Sequence, residues 1–192
     1  MAGKVVLAIA LGALLLALPA PAAAQGRLLG GVPFPAESTD FMTWDPVLKR
    51  TPNREWRRWG RPEIVERVQI VLREYRAAHP DGARVLVGDL SRPHGGFFGA
   101  RYGGLGHASH QTGLDVDVYY PRRDGLERAA FRPAQVDRRL AQELVDRFVG
   151  WGAARIFVGP RLRLHGPRRI VSPLIYHDDH LHVRFRAPRL IP

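Results

Sequence analysis

Cysteine is absent from the 192 residues, which excludes disulfides, iron–sulfur clusters, thiolate zinc sites and a cysteine nucleophile. Lysine is almost absent as well. Lys4 and Lys49 are the only two among 29 basic residues, so the remaining 27 are arginines whose charge does not titrate. Acidic residues are few, 18 against those 29, and the formal net charge is +11. Beyond residue 24 no stretch is long and apolar enough to cross a bilayer. There is also no internal repeat and no regular strand–helix–strand alternation, which argues against solenoids and doubly wound sheets.

What is present begins with an address. Lys4 precedes an unbroken apolar run from Val5 to Leu18, Pro19 and Pro21 end it, and Ala22-Ala23-Ala24 offers small residues for a signal peptidase. A 14-residue helix is about 21 Å long, short of the roughly 30 Å hydrocarbon core. Residues 1–24 therefore read as a cleaved signal, and the protein as exported, periplasmic or associated with the cell wall. Outside the cytoplasm nucleic acid is not the expected polyanion. The arginines either hold the protein near anionic wall polymers or simply solvate its surface.

Residues 25–60 show little periodicity, though Trp44, Trp56 and Trp59 suggest a segment packed on the domain that follows at 61–192. Pro62 opens a helix at a position where its missing N–H costs nothing, and Ile64, Val68, Val71, Leu72 and Tyr75 form one apolar stripe before His79-Pro80-Asp81-Gly82. Pro133 to Phe148 reads as a second helix with Val136, Leu140, Leu144 and Phe148 every fourth residue, stopped by Gly150 and Gly152. Strands are predicted at 84–90, 114–120, 154–158 and 181–186, and the glycine-rich stretch 95–106 is a long loop of the kind that usually serves function. Two helices with several short strands give an α+β fold, a small sheet with the two main helices packed on it.

Six of the eight histidines fall in two groups: His94, His107 and His110 around the glycine loop, and His177, His180 and His182 near the C-terminus. On a strand, His180 and His182 project from one face while Leu181 and Val183 take the other. Asp115 and Asp117 repeat that arrangement on a second strand, with His110 a short turn before it. If the strands are close in one sheet, carboxylates and imidazoles share a surface. Such a set without sulfur matches catalytic rather than structural zinc. Calcium, which takes oxygen ligands only, fits poorly, and the His-Glu-x-x-His protease signature is missing.

The stretches Gly106-His107-Ala108-Ser109-His110-Gln111-Thr112-Gly113-Leu114-Asp115-Val116-Asp117 and His177-Asp178-Asp179-His180-Leu181-His182-Val183-Arg184 resemble the penicillin-insensitive murein endopeptidases. These belong to the superfamily of lysostaphin-type peptidases, D-alanyl-D-alanine peptidases and the hedgehog domain. The resemblance covers about residues 59–188 and implies a mainly antiparallel sheet, one Zn²⁺ per chain and a peptidoglycan substrate cut by zinc-activated water. It implies His110, Asp117 and His182 as zinc ligands, His180 as catalytic base and His177 as an assisting histidine. His107 aligns with a further histidine at the metal, Arg92 with a substrate-carboxylate arginine, and Asp115 and Asp179 become the groups that orient ligand imidazoles. A carboxypeptidase or dipeptidase of the same superfamily, or a non-catalytic wall-binding zinc module, are the alternatives. Unlike better-known members, this chain has no cysteine, so packing alone must stabilise its loops.

Overall fold

The computed structural model describes residues 26–99 and 109–187. The predicted leader 1–24, His107 and the larger part of the predicted glycine loop lie outside the described residues. The fold is α+β, with a six-stranded sheet and two α-helices among the described residues. The strands are β1 (Val32–Pro33), β2 (Phe41–Thr43), β3 (Trp59–Gly60), β4 (Val85–Val87), β5 (Asp115–Tyr119), β6 (Arg155–Val158), β7 (Val171–Pro173) and β8 (His180–Arg184), and the helices are α1 (Pro62–Ala78) and α2 (Arg138–Gly150). The main sheet runs β2-β4-β5-β8-β6-β7, while β1 and β3 form a separate small ribbon. Its three central pairings are antiparallel and its two outer pairings parallel.

Residue parity divides the sheet into two chemically different faces. In β5 and β8 the register sets Val116 opposite Val183 and Asp117 opposite His182. Val116, Val118, Leu181 and Val183 join Ile156 and Val158 of β6 in the core with Ile64, Val68, Val71 and Leu72 of α1 and Leu144, Val145 and Phe148 of α2. Each of these side chains is almost entirely removed from water, about 1.5–3 kcal/mol apiece. Both helices therefore cover the valine face. The opposite face carries Asp115, Asp117, His180 and His182, bordered by a small cluster of Trp44, Leu86, Tyr119 and Ala129.

The helix α1 begins at Pro62 as its sequence predicts, and His79 at its C-terminal end bonds to Glu143 of α2 at 2.6 Å. The second helix differs from the prediction. Pro133–Gln135 forms a separate 3₁₀ turn, Val136 is extended and bridges to Arg122, and α2 starts only at Arg138. The reason is Asp137, whose carboxylate accepts the Leu140 N–H at 3.0 Å and so supplies the N-cap. An Asp137→Ala protein is expected to lose about 1 kcal/mol of stability, read as a lower urea midpoint with unchanged slope. At the other end Gly152 sits at φ +80°, a left-handed conformation that glycine adopts without a Cβ penalty.

The segment 26–60 contributes more than periodicity suggests. Its strand β2 is an edge of the main sheet, and Phe34 and Phe41 lie in the core with ring centroids 4.7 Å apart.

Candidate metal centre

The central strands β5 and β8 bring Asp117 and His182 side by side, and His110 enters from the turn before β5. His110 Nε2 lies 3.1 Å from His182 Nδ1 and 3.3 Å from Asp117 Oδ1, and His182 Nδ1 lies 3.0 Å from Asp117 Oδ1. All three residues are buried.

The protons on these rings point away from the meeting point. His110 Nδ1–H donates to the Leu90 carbonyl at 2.6 Å, which leaves Nε2 as a lone pair. His182 Nε2–H faces Asp115 Oδ1 at 3.1 Å, with the Ser109 hydroxyl also 3.1 Å away, which in the neutral ring leaves Nδ1 as a lone pair. Two imidazole lone pairs and a carboxylate oxygen thus converge, an arrangement that repels unless a cation stands between them. Tetrahedral coordination at about 2.0–2.1 Å places ligand atoms about 3.3–3.4 Å from one another, close to the spacing found here. Two nitrogens and one oxygen fit a divalent transition metal and leave its fourth position for solvent. Outward hydrogen bonds of the ligating imidazoles to a carbonyl and a carboxylate are the usual support of such a site.

Electrostatics agree with the geometry. Burial works to lower the His182 pKa, but hydrogen bonds and charge from Asp115 and Asp117 outweigh it and push the value up to about 9. Burial pulls the Asp117 carboxyl upward, yet His110, His180 and His182 hold it well below the usual range. In the metal-free protein a proton can fill part of the cation's place.

Two further histidines stand beside this trio. His180 Nε2 is 3.7 Å from Asp117 Oδ1, and its Nδ1–H donates to Asp179 at 2.7 Å. Burial opposes protonation of His180, but the Asp117 and Asp179 carboxylates prevail and raise its pKa. His177 packs on His180 with centroids 4.8 Å apart, and its Nδ1–H donates to the Ile175 carbonyl at 2.9 Å. Burial lowers the His177 pKa. Both rings therefore hold their proton on Nδ1 and offer Nε2 as acceptor.

The trio forms the floor of a cleft of about 700 Å³. One wall is Trp44, Pro46, Tyr119 and Phe131, and another is Leu174, Ile175 and Tyr176. The sheet order explains this: Trp44 follows β2 and Leu174 follows β7, the two opposite edges, whereas the histidines and Asp117 belong to the middle. Tyr176 is 87% exposed and sits at φ +66°. Ser109 and the Leu174–Tyr176 segment lie in loops, whose positions follow no period, while Phe157 is on β6, predicted as a strand but without a sign that it lines the cleft. Arg92 is not among the residues lining this cleft; its Nη1 donates to the Phe97 carbonyl at 3.0 Å.

The support of His110 and Asp117 extends to a buried ion pair. Arg57 Nε and Nη2 grip Asp89 at 2.7 and 2.5 Å, with both side chains fully buried, and the guanidinium lies 5.0 and 5.2 Å from the Trp56 and Phe98 rings. The Asp89 carbonyl accepts the Asp117 N–H at 2.9 Å, and the next residue, Leu90, is the one that holds His110.

A sheet with helices on one face and a histidine–carboxylate donor set that could hold a metal ion at the floor of a cleft on the other defines a class of α+β protein. Within it the match is specific. The family model for penicillin-insensitive murein endopeptidases matches residues 21–149, two thirds of the chain, including His110 and Asp117 and ending before His177. The chain is 29% identical to the penicillin-insensitive murein endopeptidase of Yersinia enterocolitica serotype O:8 over 191 residues, 86% of this chain and 64% of that protein. It is 31% and 32% identical to those of Salmonella heidelberg and Salmonella arizonae, over 88% of this chain and 69% of each relative. The chain belongs to the penicillin-insensitive murein endopeptidase family, and it spans about two thirds of the length of these relatives.

Proposed function

We propose that this protein is an exported zinc metallopeptidase that hydrolyses peptide bonds in the stems or cross-links of peptidoglycan. The observation that carries the proposal is the convergence of His110 Nε2, Asp117 Oδ1 and His182 Nδ1 within 3.0–3.3 Å of one another, while the other ring nitrogens of His110 and His182 face the Leu90 carbonyl and Asp115. A Zn²⁺ ion held by these three residues supplies an activated water and polarises the scissile carbonyl. His180, whose Nδ1 proton is committed to Asp179, takes a proton at Nε2 from water beside Asp117. His177, set against His180, hydrogen-bonds the reacting carbonyl oxygen or the leaving amine when protonated at Nε2. Asp115 fixes His182 and Asp179 fixes His180, so the geometry is held before substrate arrives. The apolar walls of the cleft exclude bulk water from one side of the peptide. No serine or cysteine nucleophile takes part, which makes the chemistry indifferent to reagents that acylate one.

The leader at 1–24 fits this substrate, which lies outside the cytoplasm, and the domain arrangement is the segment 25–60 packed on the peptidase domain 61–192. No helix among the described residues is long and apolar enough to cross a membrane. The test is incubation of purified protein with insoluble peptidoglycan, with and without a chelator. New amino groups and smaller muropeptides are expected, lost on chelation and restored by zinc. Equal release in the presence of chelator overturns the proposal, and the muropeptide products identify the bond.

A further inference from the structure

From Arg147 to His177 the chain contains six arginines and no Asp or Glu. Four of them, Arg161, Arg163, Arg168 and Arg169, are exposed on the 159–170 loop that joins β6 to β7. Elsewhere several arginines meet carboxylates, among them Arg54 with Asp45, Arg57 with Asp89, Arg84 with Glu127 and Arg122 with Asp124. In this loop Arg161 pairs with Asp178 at 2.6 Å, whereas no carboxylate among the described residues pairs with Arg163, Arg168 or Arg169.

The loop is nevertheless held firmly. Leu162, between two outward arginines, is 1% exposed and part of the core. Gln142 of α2 clamps His165 at two points, donating to its carbonyl at 2.9 Å and accepting its N–H at 3.0 Å. The Tyr120 hydroxyl accepts the Gly159 N–H and donates to the His177 carbonyl, both at 3.1 Å. That bridge, together with Arg161–Asp178, joins the basic loop to the backbone that carries His177 at the cleft.

We propose that loop 159–170 is a docking surface for carboxylates of the peptidoglycan polymer outside the cleft, gripping the anionic mesh beside the bond to be cut. This rests on the peptidoglycan reading of the site. Guanidinium forks match carboxylates in bidentate geometry, and a pinned loop loses little entropy on binding. A dispersed mesh presents many such groups at once, so individually weak contacts add through effective concentration.

The experiment is co-sedimentation with insoluble peptidoglycan freed of phosphate polymers, comparing the native protein with an R163Q/R168Q/R169Q protein. Arg161 is left in place because Asp178 uses it. The native protein is expected to pellet at about 0.15 M salt and to be released at about 1 M. The triple variant is expected to bind about tenfold more weakly at the lower salt, with native Tm and metal content. Native protein should bind amidated peptidoglycan, its carboxylates neutralised, equally poorly; this arm stands even if the variant misfolds. Undiminished binding by a folded variant, or to amidated polymer, overturns the proposal. Amine release in the same tubes reports hydrolysis separately, so binding without hydrolysis removes the peptidase reading and leaves docking intact.

Discussion

His182→Ala and His180→Ala are both expected to abolish peptidoglycan hydrolysis, but only the first should empty the metal site. His182 Nδ1 is one of three convergent donors, and two remaining donors hold a divalent ion poorly. Loss of the metal removes several kcal/mol of charge stabilisation in the transition state, a fall of roughly 10³-fold or more in rate. His180 lies just outside the donor set, 3.7 Å from Asp117. Its removal should therefore leave zinc stoichiometric while cutting turnover by about 10²–10⁴-fold, the usual range for a general base. Metal analysis of the two purified variants, with rates on one muropeptide, separates the roles. A His180→Ala protein that hydrolyses at the native rate would show that some other group takes the proton, and one that loses zinc would make His180 a ligand.

That Asp115, Asp117, His180 and His182 share one surface beside His110 was legible from two independent signals, while the choice of His110, Asp117 and His182 among them came from the family resemblance. Strand parity places Asp115 with Asp117 and His180 with His182, each opposite an apolar series, and the valine and leucine positions decide which face is covered. Chemistry then groups the rare residue types. The cleft walls were not legible, since Trp44 and Leu174–Tyr176 come from connections at opposite sheet edges and Phe131 from the chain after the central β5, and no period links them. The strands β2 and β7, three residues each, are too short for alternation to register. The start of α2 was misplaced because Val136 sits in phase with Leu140 and Leu144; its apolar side chain is buried, but from an extended residue. Periodicity reports burial on a face and a cap reports the boundary, and here Asp137 was the better guide. Asp89 and Arg57 carry no recognisable pattern as a pair, being 32 residues apart.

That pair gives the largest expected loss of stability. Removing Asp89 by Asp89→Ala takes away the carboxylate that faces a guanidinium with no solvent exposure, and breaking a buried ion pair in this way costs about 3–5 kcal/mol. Much of that is the burden of leaving Arg57 charged in the interior. An R57M/D89L protein, with both charges replaced by apolar groups, should regain most of the loss. The metal site should report the same event more locally. The Asp89 carbonyl holds the Asp117 backbone and the Leu90 carbonyl sets the His110 tautomer, so folded Asp89→Ala protein should bind zinc about 10–100-fold more weakly. Nitrogen chemical shifts of the His110 ring in the metal-free protein give a readout that stability alone does not move: a mixture of Nδ1–H and Nε2–H forms in the variant, against Nδ1–H alone in the native chain. Urea unfolding that shows less than about 1 kcal/mol of loss would mean that water reaches Arg57 readily, and that the pair positions nothing.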